Sequence, residues 1–286
     1  MNKSEQRRRN VFELLMLALL IAFLYPFVIV LINSAKDSFS VTQFPMRLPE
    51  NWGQLFVNIR TIWVSPNVRY SSSFFSSVVI TMSSLAAVTI FPAMAGWVLV
   101  RTKTVTSQIL FMLFVAAMVI PFQIVMFPLV SWFRTVFEIT GVRLLRSYLG
   151  VVLAYLGFGL SLSVFMYHGF IKSIPYELEE AAIIDGCRRP EVFFRIVFPL
   201  LTPVHATIAI LHGIWIWNDF LLPLLILGRG NRIQTLPLAV ANFAGAFVKQ
   251  WDLILTAILM AMVPVLIFFF FAQKKIIRGM VAGSIK

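Results

Sequence analysis

Six stretches of this chain are apolar for longer than a soluble helix requires: roughly residues 11–33, 71–100, 108–130, 148–171, 204–227 and 252–272. About 20 helical residues cross the roughly 30 Å of bilayer hydrocarbon, so each run predicts a membrane-spanning helix. Three longer polar stretches separate them, at about 34–70, 172–203 and 228–250. Within the first, Trp52, Leu55, Phe56, Ile59, Ile62 and Trp63 fall on one face of a 3.6-residue period, with Asn51, Gln54, Asn58 and Arg60 elsewhere. This predicts a short helix lying flat, either on the membrane surface or as a lid over the bundle.

The stretch 172–203 differs in kind, because it is dense in charge yet patterned like folded chain. Pro175 suits a first helical turn, and Glu177, Glu179 and Glu180 suit its positive end. Gly186 is placed to stop that helix in the left-handed conformation, and Pro190 to open a second running to about Pro199. A helix, a tight turn and a helix are expected, outside the hydrocarbon because so much charge is costly there.

Composition agrees with a membrane protein: 59% hydrophobic and 13% charged residues, against roughly 45–50% and 25% in soluble domains. The formal charge of +12 comes from basic residues scattered through loops, not gathered on a face, so nucleic acid is not an expected partner. Single Cys187 excludes an internal disulfide. An even number of spans puts both termini on one side. Taking that side as cytoplasmic gathers Lys3, Arg7, Arg8, Arg9, Arg101, Lys103, Lys172, Arg188, Arg189, Arg195, Lys274, Lys275, Arg278 and Lys286 there, in modest agreement with the positive-inside rule. The apolar run to about Ile32 exceeds a signal-peptide core and has a poor cleavage site, so an uncleaved first span is expected.

Inside the spans, Pro92, Pro121 and Pro128 are expected to interrupt their helices. The small residues of the second span, such as Ser83, Ser84, Ala86 and Ala87, favour close helix packing. His205 and His212 lie two turns apart with no third ligand, so no metal site is expected. Asp219 is the acid clearly within a span, and hydrogen bonding across helices suits Asn218 and Asp219 better than direct ligand contact. No glycine-rich nucleotide loop and no hydrolase motif occurs, so catalysis by this chain is not expected.

Glu180-Ala181-Ala182, then Gly186, Ile196 and Pro199, resembles the EAA loop of ATP-binding-cassette import permeases. Asp185-Gly186, Phe194-Arg195-Ile196, Trp217-Asn218-Asp219-Phe220, Thr235-Leu236-Pro237-Leu238 and the tail from Gly279 to Lys286 resemble the carbohydrate branch of that family, which includes the smaller, six-span permease of the maltose importer. Phe198 departs from the general motif, which has Leu there, but stays apolar. The resemblance covers about 174–286 clearly and implies the following. The fold is all-α, six transmembrane helices (11–272) between cytoplasmic tails (1–10 and 273–286), with the cytoplasmic EAA coupling-helix loop (172–203) between spans four and five.

Glu180, Ala181, Ala182, Asp185, Gly186 and Arg189 would couple to the ATPase, Glu180 by pairing with one of its basic groups. Trp217, Asn218 and Asp219 would lie along the translocation path or gate, and Asn231, Arg232 and Gln234 in the loop that meets the binding protein. Implied partners are an ATPase dimer, a second and different permease, an extracytoplasmic solute-binding protein, the lipid bilayer and a carbohydrate, here an oligosaccharide. ATP and magnesium would sit on the ATPase, with no cofactor in this chain. The location would be a bacterial or archaeal plasma membrane. An ion-coupled secondary transporter is the alternative, and should show an internal repeat and several midplane ionisable residues. A membrane anchor with an interfacial hairpin at 172–203 is the second.

Overall fold

The apolar runs form helices, and every element among the described residues is helical. The structure, a computed structural model, describes the backbone of residues 3–65, 69–228, 232–246 and 250–284. In chain order the helices are α1 (Lys3–Ser34), α2 (Ser38–Gln43), α3 (Gln54–Val64), α4 (Tyr70–Arg101), α5 (Val105–Ala117), α6 (Phe122–Thr140), α7 (Tyr148–Ile171), α8 (Glu177–Ile184) and α9 (Arg189–Val192). A π-helical turn (Phe193–Val197) joins α9 to α10 (Phe198–Leu200), followed by α11 (Thr202–Asn218), α12 (Leu221–Leu227), α13 (Leu236–Ala246) and α14 (Trp251–Ser284).

Among the described residues α1, α4, α6 and α7 are long and apolar enough to cross a membrane. A fifth candidate is the segment Arg189–Leu200 with Thr202–Asn218, bent by 73°, while Val105–Ala117 and Trp251–Ile267 are shorter apolar helices. The expected third span at 108–130 is therefore not one helix. It breaks at Met118–Pro121, because Pro121 supplies no N–H and its ring disfavours helical geometry in the residue before it. Pro92 and Pro128, also expected to interrupt, lie inside continuous helices.

The chain forms two compact units, one of residues 1–70 and 239–264, the other of 71–238 and 265–286. In the first, α1 exposes apolar side chains all round from Val11 to Val28, a surface suited to lipid and not to water. Its C-terminal end is tied down by polar groups. Asn58 of α3 donates to the carbonyls of Ser34 and Lys36, and Thr256 of α14 donates to Ser34. Asn58, expected away from the apolar face, is buried, and its amide supplies a donor to the Ser34 and Lys36 carbonyls. Of the residues expected on one apolar face, Ile62 is buried while Trp52, Phe56 and Trp63 are exposed. Lys36 is buried, with no acidic partner among the described residues. Its ammonium is capped by Asn33 Oδ1 at 2.9 Å and the Phe44 carbonyl at 2.8 Å, and burial pushes its pKa below the ordinary lysine range.

In the second unit α4, α7 and α11 pack around two apolar clusters. One gathers Ile80, Phe133, Leu144, Val151, Tyr155 and Leu222. The other gathers Val88, Ala93, Tyr167, Phe193, Val197 and Ile208, and it backs the loop that follows α7.

Candidate functional site: the loop after α7

Residues 172–203 fold as a helix, a turn and a helix. α8 begins just after Pro175 and carries Glu177, Glu179 and Glu180 in its first turn, where the helix dipole favours anions. It ends in a Schellman motif: the Gly186 N–H donates to the Ile183 carbonyl and the Cys187 N–H to that of Ala182. Gly186 has φ of 88°, a region that costs an L-residue with a side chain about 1–2 kcal/mol. Arg188 then opens the second helix, its N–H donating to Glu191 Oε2 at 2.8 Å, with Pro190 in the first turn.

Pro203 lacks the N–H that would reach the Pro199 carbonyl, and Thr202 Oγ1 donates there instead at 2.6 Å. The chain turns 73° at this point. His205 spans the bend. Its Nε2 lies 2.9 Å from the Phe198 carbonyl and its Nδ1 2.6 Å from the Tyr167 hydroxyl. A neutral ring carrying its proton on Nε2 satisfies both. His212 similarly meets Ser163 on α7.

α8 has two unlike faces. Glu180, Ala181, Asp185, Gly186 and Arg189 are exposed, as are Leu178, Ile183 and Ile184, the last 84% so. Apolar side chains left open beside carboxylates on a folded turn suit a protein partner better than water. Ala182 is buried against the chain itself, so it is not part of the open face.

The opposite face carries Glu179, to which sequence reasoning gave no separate role. It is 2% exposed. Arg101, the last residue of α4, reaches Oε1 through Nε and Nη2, each at 2.8 Å, and Trp97 Nε1 donates to Oε2 at 2.9 Å. Arg101 Nη2 also donates to the Ile174 carbonyl at 3.0 Å, and the guanidinium lies 5.4 Å from the Tyr176 ring centroid. The Trp97 ring packs on Phe193 at 5.3 Å. Arg101, Tyr176, Glu179 and Arg189 share a cleft of about 220 Å³. The available signal was the helical period, which turns Glu179 about 100° from Glu180.

The second group of expected residues sits at the other end of α11. This helix stops at Asn218, and Asp219 ties the break together: Oδ1 accepts the Leu221 N–H at 2.9 Å and Oδ2 the Tyr155 hydroxyl at 3.0 Å. Asp219 thus makes a hydrogen bond across to α7, whereas Asn218, expected to do the same, does not leave its own helix. Asn218 is exposed and bonds back to the Ile214 carbonyl, and Trp217 stacks edge-on to Phe74 at 5.9 Å. Of the loop residues, Arg232 is exposed and Gln234 half-buried, while Asn231 lies outside the described residues. The structure does not bring these together with α8.

Comparison with known proteins gives a consistent result. The family model described as the inner membrane component of binding-protein-dependent transport systems matches residues 89–281. A relative from Thermoanaerobacterium thermosulfurigenes, the probable starch degradation products transport system permease protein AmyC, is 40% identical over 94% of each chain. The melibiose/raffinose/stachyose import permease protein MelC of Bacillus subtilis is 33% identical over the full length of both. A crystal structure of a bacterial ATP-binding-cassette transporter involved in importing the acidic polysaccharide alginate contains a chain that superposes with a TM-score of 0.78, at 21% identity, over 96% of this chain and 98% of that one.

Proposed function

The chain belongs to the inner membrane components of binding-protein-dependent transport systems, and from that membership we propose that it is one permease half of an ATP-driven importer of oligosaccharides. The observation that carries the reading is α8, a capped helix outside the apolar runs that presents Glu180 beside open Ile183 and Ile184. Starch degradation products, and melibiose, raffinose and stachyose, named for two relatives, support this substrate class.

In this reading α8 is the coupling helix. It docks on a separate ATPase, which binds ATP and magnesium, with Glu180 paired to a basic group and Ile184 inserted into an apolar pocket. A second, different permease completes the pathway, and an extracytoplasmic binding protein delivers the sugar, with Arg232, Gln234 and Asn231 in the contacting loop. The six-span topology requires α5 with the start of α6 to make the third crossing and α11 with α12 the fifth, leaving both termini and α8 cytoplasmic. Closure of the ATPase pair on ATP carries two docked helices together, and the packed spans behind them turn as rigid bodies.

A cysteine at Ile184, with Cys187 replaced by serine, tests this. The expected outcome is cross-linking to the ATPase subunit and blockage by a membrane-impermeant thiol reagent in inverted vesicles but not in intact cells. Labelling from the outside would place α8 on the wrong face and overturn the reading.

A further inference from the structure

We propose that Glu179 is a positioning residue that locks the coupling helix to the end of α4, so that a displacement of α8 is delivered to that span as one rigid body. The inference rests on the importer reading above.

Glu179 is buried while the neighbouring charged residues Glu177, Glu180, Asp185, Arg188 and Arg189 are exposed, and both its carboxylate oxygens are engaged by α4: Oε1 by Arg101 and Oε2 by Trp97. Stability alone does not call for such an arrangement, because well-packed apolar groups commonly serve as well as a buried ion pair. What the pair adds is direction. Apolar contact is non-directional and allows a helix to slide or roll, whereas a planar guanidinium fork fixes orientation as well as distance. Arg101 engages three points of the loop, the Ile174 carbonyl, the Tyr176 ring and Glu179, so α8 cannot rotate on α4 without breaking several contacts together.

The next helix of the loop is held on the same side chain, since the Trp97 ring that donates to Glu179 also packs on Phe193. Adjacent carboxylates thus divide the work. Glu180 faces out toward a partner, and Glu179 faces in to transmit what that partner does.

The test uses the complete complex of this chain with its partner permease, ATPase and binding protein, in proteoliposomes, reading sugar transported per ATP hydrolysed. Glu179→Gln keeps the shape and leaves Arg101, whose side chain is 18% exposed, in partial contact with water. The expected result is that the ATPase still co-purifies and hydrolysis is retained, while uptake falls about tenfold, so the transport ratio drops. Glu179→Asp, which keeps the charge but withdraws it by one methylene, is expected to recover part of the ratio. A parallel fall in uptake and hydrolysis, or an unchanged ratio, would overturn the proposal. If Glu179→Gln does not fold, Trp97→Phe is read instead: it removes one donor and keeps the packing on Phe193, a smaller drop in ratio is expected, and an unchanged ratio again overturns the idea. Absence of ATP-driven uptake in the wild-type complex would count against the importer reading itself.

Discussion

Replacing Glu180 with alanine is expected to lower ATP-driven uptake by about ten- to a hundredfold while leaving the chain folded. The side chain is exposed, so its loss leaves no cavity and no orphaned partner within this protein. What it removes, in the docking proposed above, is a charge-assisted hydrogen bond to the ATPase, of about 1.5–3 kcal/mol, and each 1.36 kcal/mol is roughly a factor of ten. The check is uptake together with retention of the ATPase through purification. Both are expected to fall, which separates this variant from Glu179→Gln, where the ATPase stays bound. Unchanged uptake would remove Glu180 from the coupling surface.

Substituting valine for Gly150 is expected to prevent accumulation of folded protein. At the start of α7 the chain makes a tight corner: Ser147 Oγ donates to the Leu144 carbonyl at 2.7 Å and accepts the Gly150 N–H at 3.1 Å. A Cβ on Gly150 would overlap that carbonyl, and backbone cannot yield as a flexible side chain does. Leu144 and Val151, on either side, are both in the apolar cluster, so the strain spreads into packing and costs on the order of 3 kcal/mol or more. Gly157 is the control, since a Cβ there meets nothing within 4 Å. Thermal unfolding in detergent should show Gly157→Ala close to the parent and Gly150→Val far below it or absent. Equal stability of the two would contradict the corner geometry.

The sequence made some of this legible and hid the rest for physical reasons. α8, its stop at Gly186 and the restart at Pro190 could be read because each depends on local backbone chemistry, a dipole, a positive φ and a missing N–H. The break at Met118–Pro121 was not foreseen as a full stop to the third run. Where nearly every residue is apolar no polar face marks helix phase or end, and Pro121 resembles Pro92 and Pro128, which their helices absorb.

The role of Glu179 is not legible locally, because its partner Arg101 is 78 residues away. The helical period turns Glu179 away from Glu180, but only the tertiary contact with α4 shows which of the three glutamates is buried. Asn58 is hidden for the same reason: its polarity sets it away from the apolar face, and the distant carbonyls of Ser34 and Lys36 draw it into the interior. Asp219, the best support for an ion-coupled transporter, is already engaged by Tyr155 and Leu221.

The central claim, that this chain is a permease half of an ATP-driven oligosaccharide importer, is tested most directly by uptake into proteoliposomes. Radiolabelled malto-oligosaccharide and raffinose would be offered to vesicles holding the complete complex and, separately, to vesicles holding this chain alone. The account predicts accumulation of at least one sugar that requires the complete complex, binding protein and ATP, and none with the chain alone. Accumulation by the chain alone, driven by an ion gradient and indifferent to ATP, would contradict it.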